Sequence, residues 1–225
     1  MKKLIQGIVE FRKNLTEEFR NLFANLALGQ KPDTLFIACS DSRVVPNLFA
    51  STNPGDLFVL RNIGNLIPPA SAPLQDNSAS AVLEFAVLNL GVSDIIVCGH
   101  SECGAMQALV EGMACQGCSH VESWLKYGEE SVNRVRNGFV IDPTLTEPNQ
   151  ISQVNVLQQI EHIQTYPFIQ ERIEKGDLRL HVWWFDIAHA DVYCYEKEPN
   201  EFVLIDEIEA KRILKRMHRE LQNSK

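Results

Sequence analysis

The chain has 225 residues, 45% of them apolar, and a formal net charge of -8 at neutral pH. That length suits one α/β domain with a sizeable core and leaves little room for two independent domains. The acidic balance, with no long basic stretch, speaks against nucleic acid or an anionic membrane surface as the main partner and favours a small or neutral substrate.

Met1-Lys2-Lys3-Leu4-Ile5 imitates the start of a signal peptide, but Glu10, Arg12 and Lys13 interrupt the apolar run before it reaches the length of an export signal. No stretch of about 18 uncharged apolar residues occurs, so no membrane insertion is expected and the chain reads as soluble and cytoplasmic. Over residues 3–27, Leu4, Ile5, Ile8, Val9, Leu15, Phe19, Leu22, Phe23 and Leu26 recur mostly every three or four positions. This spacing predicts one long amphipathic helix, making residues 1–28 an N-terminal arm.

Leu35-Phe36-Ile37-Ala38, bounded by Pro32 and Ser40-Asp41-Ser42, has the length and flanks of a buried strand, and Leu57-Phe58-Val59-Leu60 after Pro54-Gly55 repeats the pattern. A loop rich in Pro, Ala and Ser spans 67–73. Residues 78–90 then predict a helix that ends before a capping Gly91. Ile95-Ile96-Val97-Cys98 is a third buried strand. Strands apolar on both faces and separated by helices indicate an open, mainly parallel sheet with right-handed crossovers and flanking helices. Residues 113–150 are more polar and read as a helical and loop insertion within a single domain, 1–225. After them come a helix over 149–165, strands over 178–185 and 192–195, and a closing helix over 205–222.

Six cysteines without a secretory signal suggest free thiols or metal ligands rather than a disulfide framework. Cys39 directly follows the first strand, and Gly99-His100-Ser101-Glu102-Cys103 directly follows the third. Open parallel sheets gather ligands beyond the carboxyl ends of their strands, so these distant segments are expected neighbours. His100 and Cys103 can both face inward across one turn. With Cys39 they offer two thiolates and one imidazole, a donor set suited to Zn2+ with a further position for water or substrate.

Zinc-bound water loses a proton far more readily than bulk water, giving a hydroxide nucleophile near neutral pH. Two thiolates cancel the charge of the metal, so the rate is expected to rise with pH. Asp41 and Arg43 can pair at the mouth of such a site, the carboxylate either orienting the zinc water or itself occupying the metal. Taken singly, each of these residues has an ordinary explanation, as a packed cysteine or histidine or a surface ion pair of little worth. Their joint placement at strand ends argues for a site.

These residues stand in Cys39-Ser40-Asp41-Ser42-Arg43, Arg61-Asn62-Ile63-Gly64-Asn65 and Gly99-His100-Ser101-Glu102-Cys103-Gly104. From about Gly29 to Asp186 the sequence closely resembles the β-class carbonic anhydrases. The resemblance implies zinc ligation by Cys39, His100 and Cys103, an Asp41–Arg43 catalytic dyad, and reversible hydration of carbon dioxide to bicarbonate and a proton. It is similar to the plant-type branch with a constitutively open pocket, which implies substrate-pocket roles for Gln30, Phe58, Ile63, Phe85 and Gly104. Phe85 departs from that branch, which has a tyrosine there. Phe36 and Ala38 replace the Trp and Gly of the other branch, so Asp41 is expected on Arg43 rather than on the metal. The family's habit of wrapping N-terminal arms around a partner implies a homodimer or homotetramer.

Two rival functions share these residues. One is a zinc-dependent hydrolase of carbon disulfide or carbonyl sulfide on the same scaffold. The other is a zinc-binding or redox thiol protein, for which Cys115-Gln116-Gly117-Cys118 and His120 have suggestive spacing, although free thiols in an insertion are the ordinary explanation. Cys98 and Cys194 read as small core residues, and Trp183, Trp184 and His181 as strand packing. A proton shuttle calls for an exposed histidine near the mouth, with His162 and His189 as undistinguished candidates.

Overall fold

A computed structural model describes residues 1–72, 77–112 and 117–223. In chain order the first elements are α1 (Lys2–Asn14), α2 (Glu17–Leu26), β1 (Thr34–Cys39), α3 (Pro46–Phe49), β2 (Leu57–Asn62), α4 (Ser78–Glu84), β3 (Asp94–His100) and α5 (Gly104–Glu111). They are followed by α6 (Ser119–Leu125), α7 (Glu129–Arg136), α8 (Glu147–Gln164), α9 (Pro167–Glu174), β4 (Arg179–Asp186), β5 (Asp191–Glu196), β6 (Glu201–Leu204) and α10 (Glu207–Asn223). The six strands form one sheet in the order β2-β1-β3-β4-β5-β6. The first four are parallel, while β5 pairs antiparallel with both β4 and β6, giving the expected open, mainly parallel architecture.

The two-residue alternation of a strand divides each apolar run between two faces. Leu35, Ile37, Ile95 and Val97 pack with Leu83, Val156, Ile163 and Ile169 from the helices α4, α8 and α9. Phe36, Ala38, Ile96 and Cys98 cover the opposite face together with Val44 and Phe185. Every residue of β3 is buried, as a strand in the middle of such a sheet requires. Gly99 lets α8 approach β3 closely, because a Cβ there would lie 2.8 Å from Val156 Cγ1 and 3.2 Å from the Ser152 carbonyl oxygen.

The N-terminal arm departs from the single helix expected. Leu15 is extended, and Thr16 caps a second helix by accepting a 3.3 Å hydrogen bond from Phe19 N, with Glu17 and Glu18 in its positive first turn. The apolar spacing runs on across this break, which is why periodicity alone joined the two helices. No residue of α1 is buried, and Leu4, Ile5, Ile8, Val9 and Phe11 are all exposed. Phe11 and Phe23 meet edge to face at 6.4 Å and hold α1 on α2.

The helix after residue 77 continues as a π-helical stretch over Phe85–Leu90 and ends at Gly91 in the left-handed region, as its capping role requires. The sequence reading did not anticipate α9, which begins at Pro167, or the short strand β6. No helix among the described residues is long and apolar enough to cross a membrane.

At the amino end of β3, Asp94 accepts hydrogen bonds from Arg179 Nε and Nη2 (2.8 and 2.6 Å), His181 Nε2 (2.7 Å) and Ser93 Oγ (2.7 Å), tying β3 to β4. Burial works against its charge, but the bonds from His181, Arg179 and Ser93 outweigh it and hold the carboxyl well below the usual carboxylate range. A depressed folded-state pKa contributes stability above the unfolded value of about 4, and that contribution disappears as pH falls through the folded value. Asp94→Asn should therefore cost roughly 2 kcal/mol at pH 7, less than a fully buried pair because the Arg179 and His181 side chains remain 20% and 24% exposed. Urea midpoints measured at pH 7 and again well below the unfolded pKa check this: the gap between variant and wild type should be clear at pH 7 and shrink in acid.

Candidate metal centre

The β1–β3 register sets Ala38 beside Cys98, bringing the carboxyl ends of both strands together. Cys39 is the last residue of β1, His100 the last of β3, and Cys103 lies just before α5. All three are buried, at 5%, 0% and 1% exposure, and their potential ligand atoms lie within 4.8 Å of one another. His100 Nδ1 is 2.8 Å from the Ser101 carbonyl oxygen, so Nδ1 carries the proton and Nε2 offers a lone pair. Nε2 is buried without a hydrogen-bond partner. A buried acceptor left unpaired is costly, and a cation bound there removes the cost.

The sulfurs share charge unequally. A hydrogen bond from Cys103 is the main cause of a strongly lowered Cys39 pKa; burial works against it, and the backbone N–H groups of Asp41 and Gly64 add to it. The same bond and deep burial push the Cys103 thiol well up. Two sulfurs and one imidazole nitrogen, buried together, are a donor set that fits Zn2+.

Asp41 and Arg43 stand beside this centre. Arg43 donates from its backbone N (2.9 Å) and Nε (3.0 Å) to Asp41 Oδ1 and from Nη2 to Oδ2 (2.8 Å). The Arg43 hydrogen bonds hold the Asp41 carboxyl well below the usual range. Nη2 also donates to the Glu102 carbonyl at 2.9 Å, tying the pair to the loop between His100 and Cys103.

Of the expected pocket residues, Phe58 and Phe85 stack at 5.7 Å, so the phenylalanine at 85 keeps a ring in place without a hydroxyl. Phe85 and Ile63 are 43% and 44% exposed, and Gln30 is exposed between α2 and β1. Gly104 opens α5 next to Cys103 and has open space where a Cβ would project.

Arg61 and Gly64, which stand in the motif at the end of β2, also shape the centre. Arg61 donates to the Cys39 carbonyl (2.9 and 2.6 Å) and the Asp41 carbonyl (2.7 Å), fixing the loop that carries both residues. Gly64 N–H points at Cys39 Sγ from 3.4 Å. The signal was the crowding of Arg, Asn and Gly immediately after a strand.

Cys194, Glu196 and Glu209 also cluster within 4.8 Å. Their carboxylates, however, are taken by Arg216 and Arg212, and burial pushes the Cys194 thiol up to about 11. This group is an ion-pair network fastening α10 to β5. Cys98 and Cys194 are buried free thiols, as expected of core cysteines. Cys118 is disulfide-bonded rather than free, and Cys115 lies outside the described residues.

A family model described as carbonic anhydrase matches residues 34–192. The solved β-carbonic anhydrase CcaA superposes with a TM-score of 0.84 at 39% identity, covering 92% of each chain. The chain belongs to the β-carbonic anhydrase family. A carbonic anhydrase from Synechocystis sp. is 40% identical over 208 residues, 90% of this chain and 74% of the relative. One from Helicobacter pylori is 35% identical over 211 residues, 92% of this chain and 96% of the relative. Tetrameric β-carbonic anhydrases from Sordaria macrospora align at TM-score 0.69 and 29% identity, covering 86% of this chain and 92% of theirs.

Gly64 gives this β-carbonic anhydrase a sharp test of its centre. Its φ is +75°, and a Cβ there would lie 3.0 Å from Ala105 Cβ and 3.2 Å from Met106 Cε. Gly64→Ala should cost about 2 kcal/mol through strain and overpacking. It should also displace the N–H at Cys39 and lower the metal retained per chain after dialysis. An unchanged thermal midpoint with unchanged metal content would contradict this account.

Proposed function

We propose that this β-carbonic anhydrase converts carbon dioxide and water to bicarbonate and a proton with Zn2+ held by Cys39, His100 and Cys103. The observation that carries this reading is the buried, unpaired His100 Nε2 clustered with two sulfurs. Zinc at this donor set acidifies water enough to supply a nucleophile near neutral pH.

The chain's own residues orient the reaction. Asp41, kept ionised by Arg43, accepts a hydrogen bond from the attacking water and aims its lone pair at the substrate carbon. Because Arg43 engages both carboxylate oxygens, Asp41 is restrained from turning onto the metal, which favours the open, plant-type state. Carbon dioxide has no net dipole and no proton to donate, so it suits an apolar wall of Phe58, Ile63 and Phe85, with Gln30 as a polar marker and Gly104 leaving room beside Cys103.

Ile63 and Phe85 are substantially exposed in one chain, and so is the apolar face of α1. A homodimer, or a tetramer built from dimers, would cover both, in line with the tetrameric Sordaria relatives.

Stopped-flow hydration on protein of measured zinc content, from about pH 6.5 to about pH 9, tests the reading across the range in which metal-activated water titrates. The rate should climb smoothly with pH. Asp41→Asn should lose about 100-fold in turnover while keeping its zinc. No hydration with one zinc per chain would overturn the assignment. In sedimentation velocity the wild type should run as a dimer or larger and Ile8→Glu as a smaller species; a monomeric wild type would refute the assembly.

A further inference from the structure

We propose that Asp186 is a positioning residue for the metal ligand His100, acting through Ser101. The inference rests on the zinc site argued above and concerns what aims that site.

The loop from His100 to Cys103 does not hold its own shape. Glu102 has φ +55°, a conformation that residues with a Cβ seldom adopt, so contacts from outside the loop must impose it. Three groups do so. Asn149 brackets Glu102, accepting from its backbone N–H (2.8 Å) and donating to its carboxylate (3.0 Å). Ser152 donates to the His100 carbonyl (2.8 Å) and is itself held by Trp184 Nε1 (3.1 Å). The third group is centred on Ser101, whose carbonyl accepts the proton of His100 Nδ1.

Ser101 is fixed from β4 and the turn after it. Its backbone N donates to the Phe185 carbonyl (2.9 Å), its hydroxyl donates to Asp186 Oδ1 (3.1 Å), and the same hydroxyl accepts from Ile187 N (2.9 Å). Asp186 is anchored in turn by Ala188 N at Oδ1 (3.1 Å) and His189 Nδ1 at Oδ2 (2.5 Å). The path therefore runs from the Asp186 carboxylate to the Ser101 hydroxyl, and through the Ser101 carbonyl to His100 Nδ1. A partner on the far nitrogen of a ligating histidine fixes its tautomer and ring direction and raises the basicity of the ligating nitrogen. Without Asp186, Ser101 loses one of the three bonds that hold it, and the aim of the Nε2 lone pair is loosened.

The test measures zinc dissociation constants by chelator competition on wild type, Asp186→Ala, Asp186→Asn and Ser101→Ala, each confirmed as folded by circular dichroism. The absorption of the Co2+-substituted proteins reports ligand geometry. Asp186→Ala and Ser101→Ala should weaken zinc about 10- to 100-fold and shift the Co2+ bands. Asp186→Asn keeps an acceptor for Ser101 and should recover most of the affinity. The Asp186→Ala/Ser101→Ala double variant should lose clearly less than the sum of the two single losses, because each single variant already removes the Ser101–Asp186 bond. If Asp186→Ala fails to fold, Ser101→Ala and Asp186→Asn decide the matter. Folded variants that bind zinc within about twofold of wild type, with unchanged Co2+ bands, would overturn the role of Asp186, since outer-shell partners should cost more. A wild type that binds no zinc would instead overturn the metal site itself.

Discussion

Parallel hydrogen bonding between β1 and β3 is the constraint on which the site depends. Both strands are apolar on both faces and must lie inside the sheet, where a parallel arrangement sends their carboxyl ends to the same edge. The register that pairs Ala38 with Cys98 then leaves Cys39 and His100 at adjacent positions on that edge. A slip of one residue would turn every side chain of β1 to the opposite face and undo the packing that fixes this edge. The cores on the two faces of the sheet therefore protect the chemistry as well as the fold.

Above this edge, α8 does with polar side chains what core helices ordinarily do with apolar ones. Asn149, Ser152, Asn155 and Gln159 are all buried on it, and each meets a different piece of loop. Asn149 holds Glu102, Ser152 holds His100, Asn155 donates to the Gly64 carbonyl, and Gln159 accepts from Ile67 N. Such bonds add little net energy each, but leaving one unmade in the interior is expensive, so together they select one loop arrangement over its neighbours. The Cys39 and Cys103 sulfurs and the His100 imidazole are thus held together by the surrounding polar contacts.

Charge is used in two distinct ways. At the amino edge of the sheet, Asp94 and Arg179, with their charge partly hidden from water, and His181 lock two strands in register. At the carboxyl edge, Arg43 is half exposed and its pairing with Asp41 contributes little to stability. Its effect is directional: the carboxylate stays ionised and faces one way beside the metal ligands. Neither device attracts a charged substrate, which suits a net acidic chain acting on a neutral gas.

The sequence by itself determined the strands that build the centre and where Cys39, His100 and Cys103 fall relative to them. Apolar runs, the prolines and glycines that bound them, and the positions of Cys39, His100 and Cys103 at strand ends are all local features, legible without knowing what lies opposite. It misled where locality was incomplete, as when an unbroken apolar spacing concealed the turn at Leu15 and Thr16. Only the tertiary structure decided that Arg61 grips two carbonyls of the Cys39 loop, that β6 pairs with β5, and that Asp186 reaches Ser101. A polar side chain carries no periodic mark of its partner. Its hydrogen bond exists only where folding brings two distant segments within about 3 Å of each other.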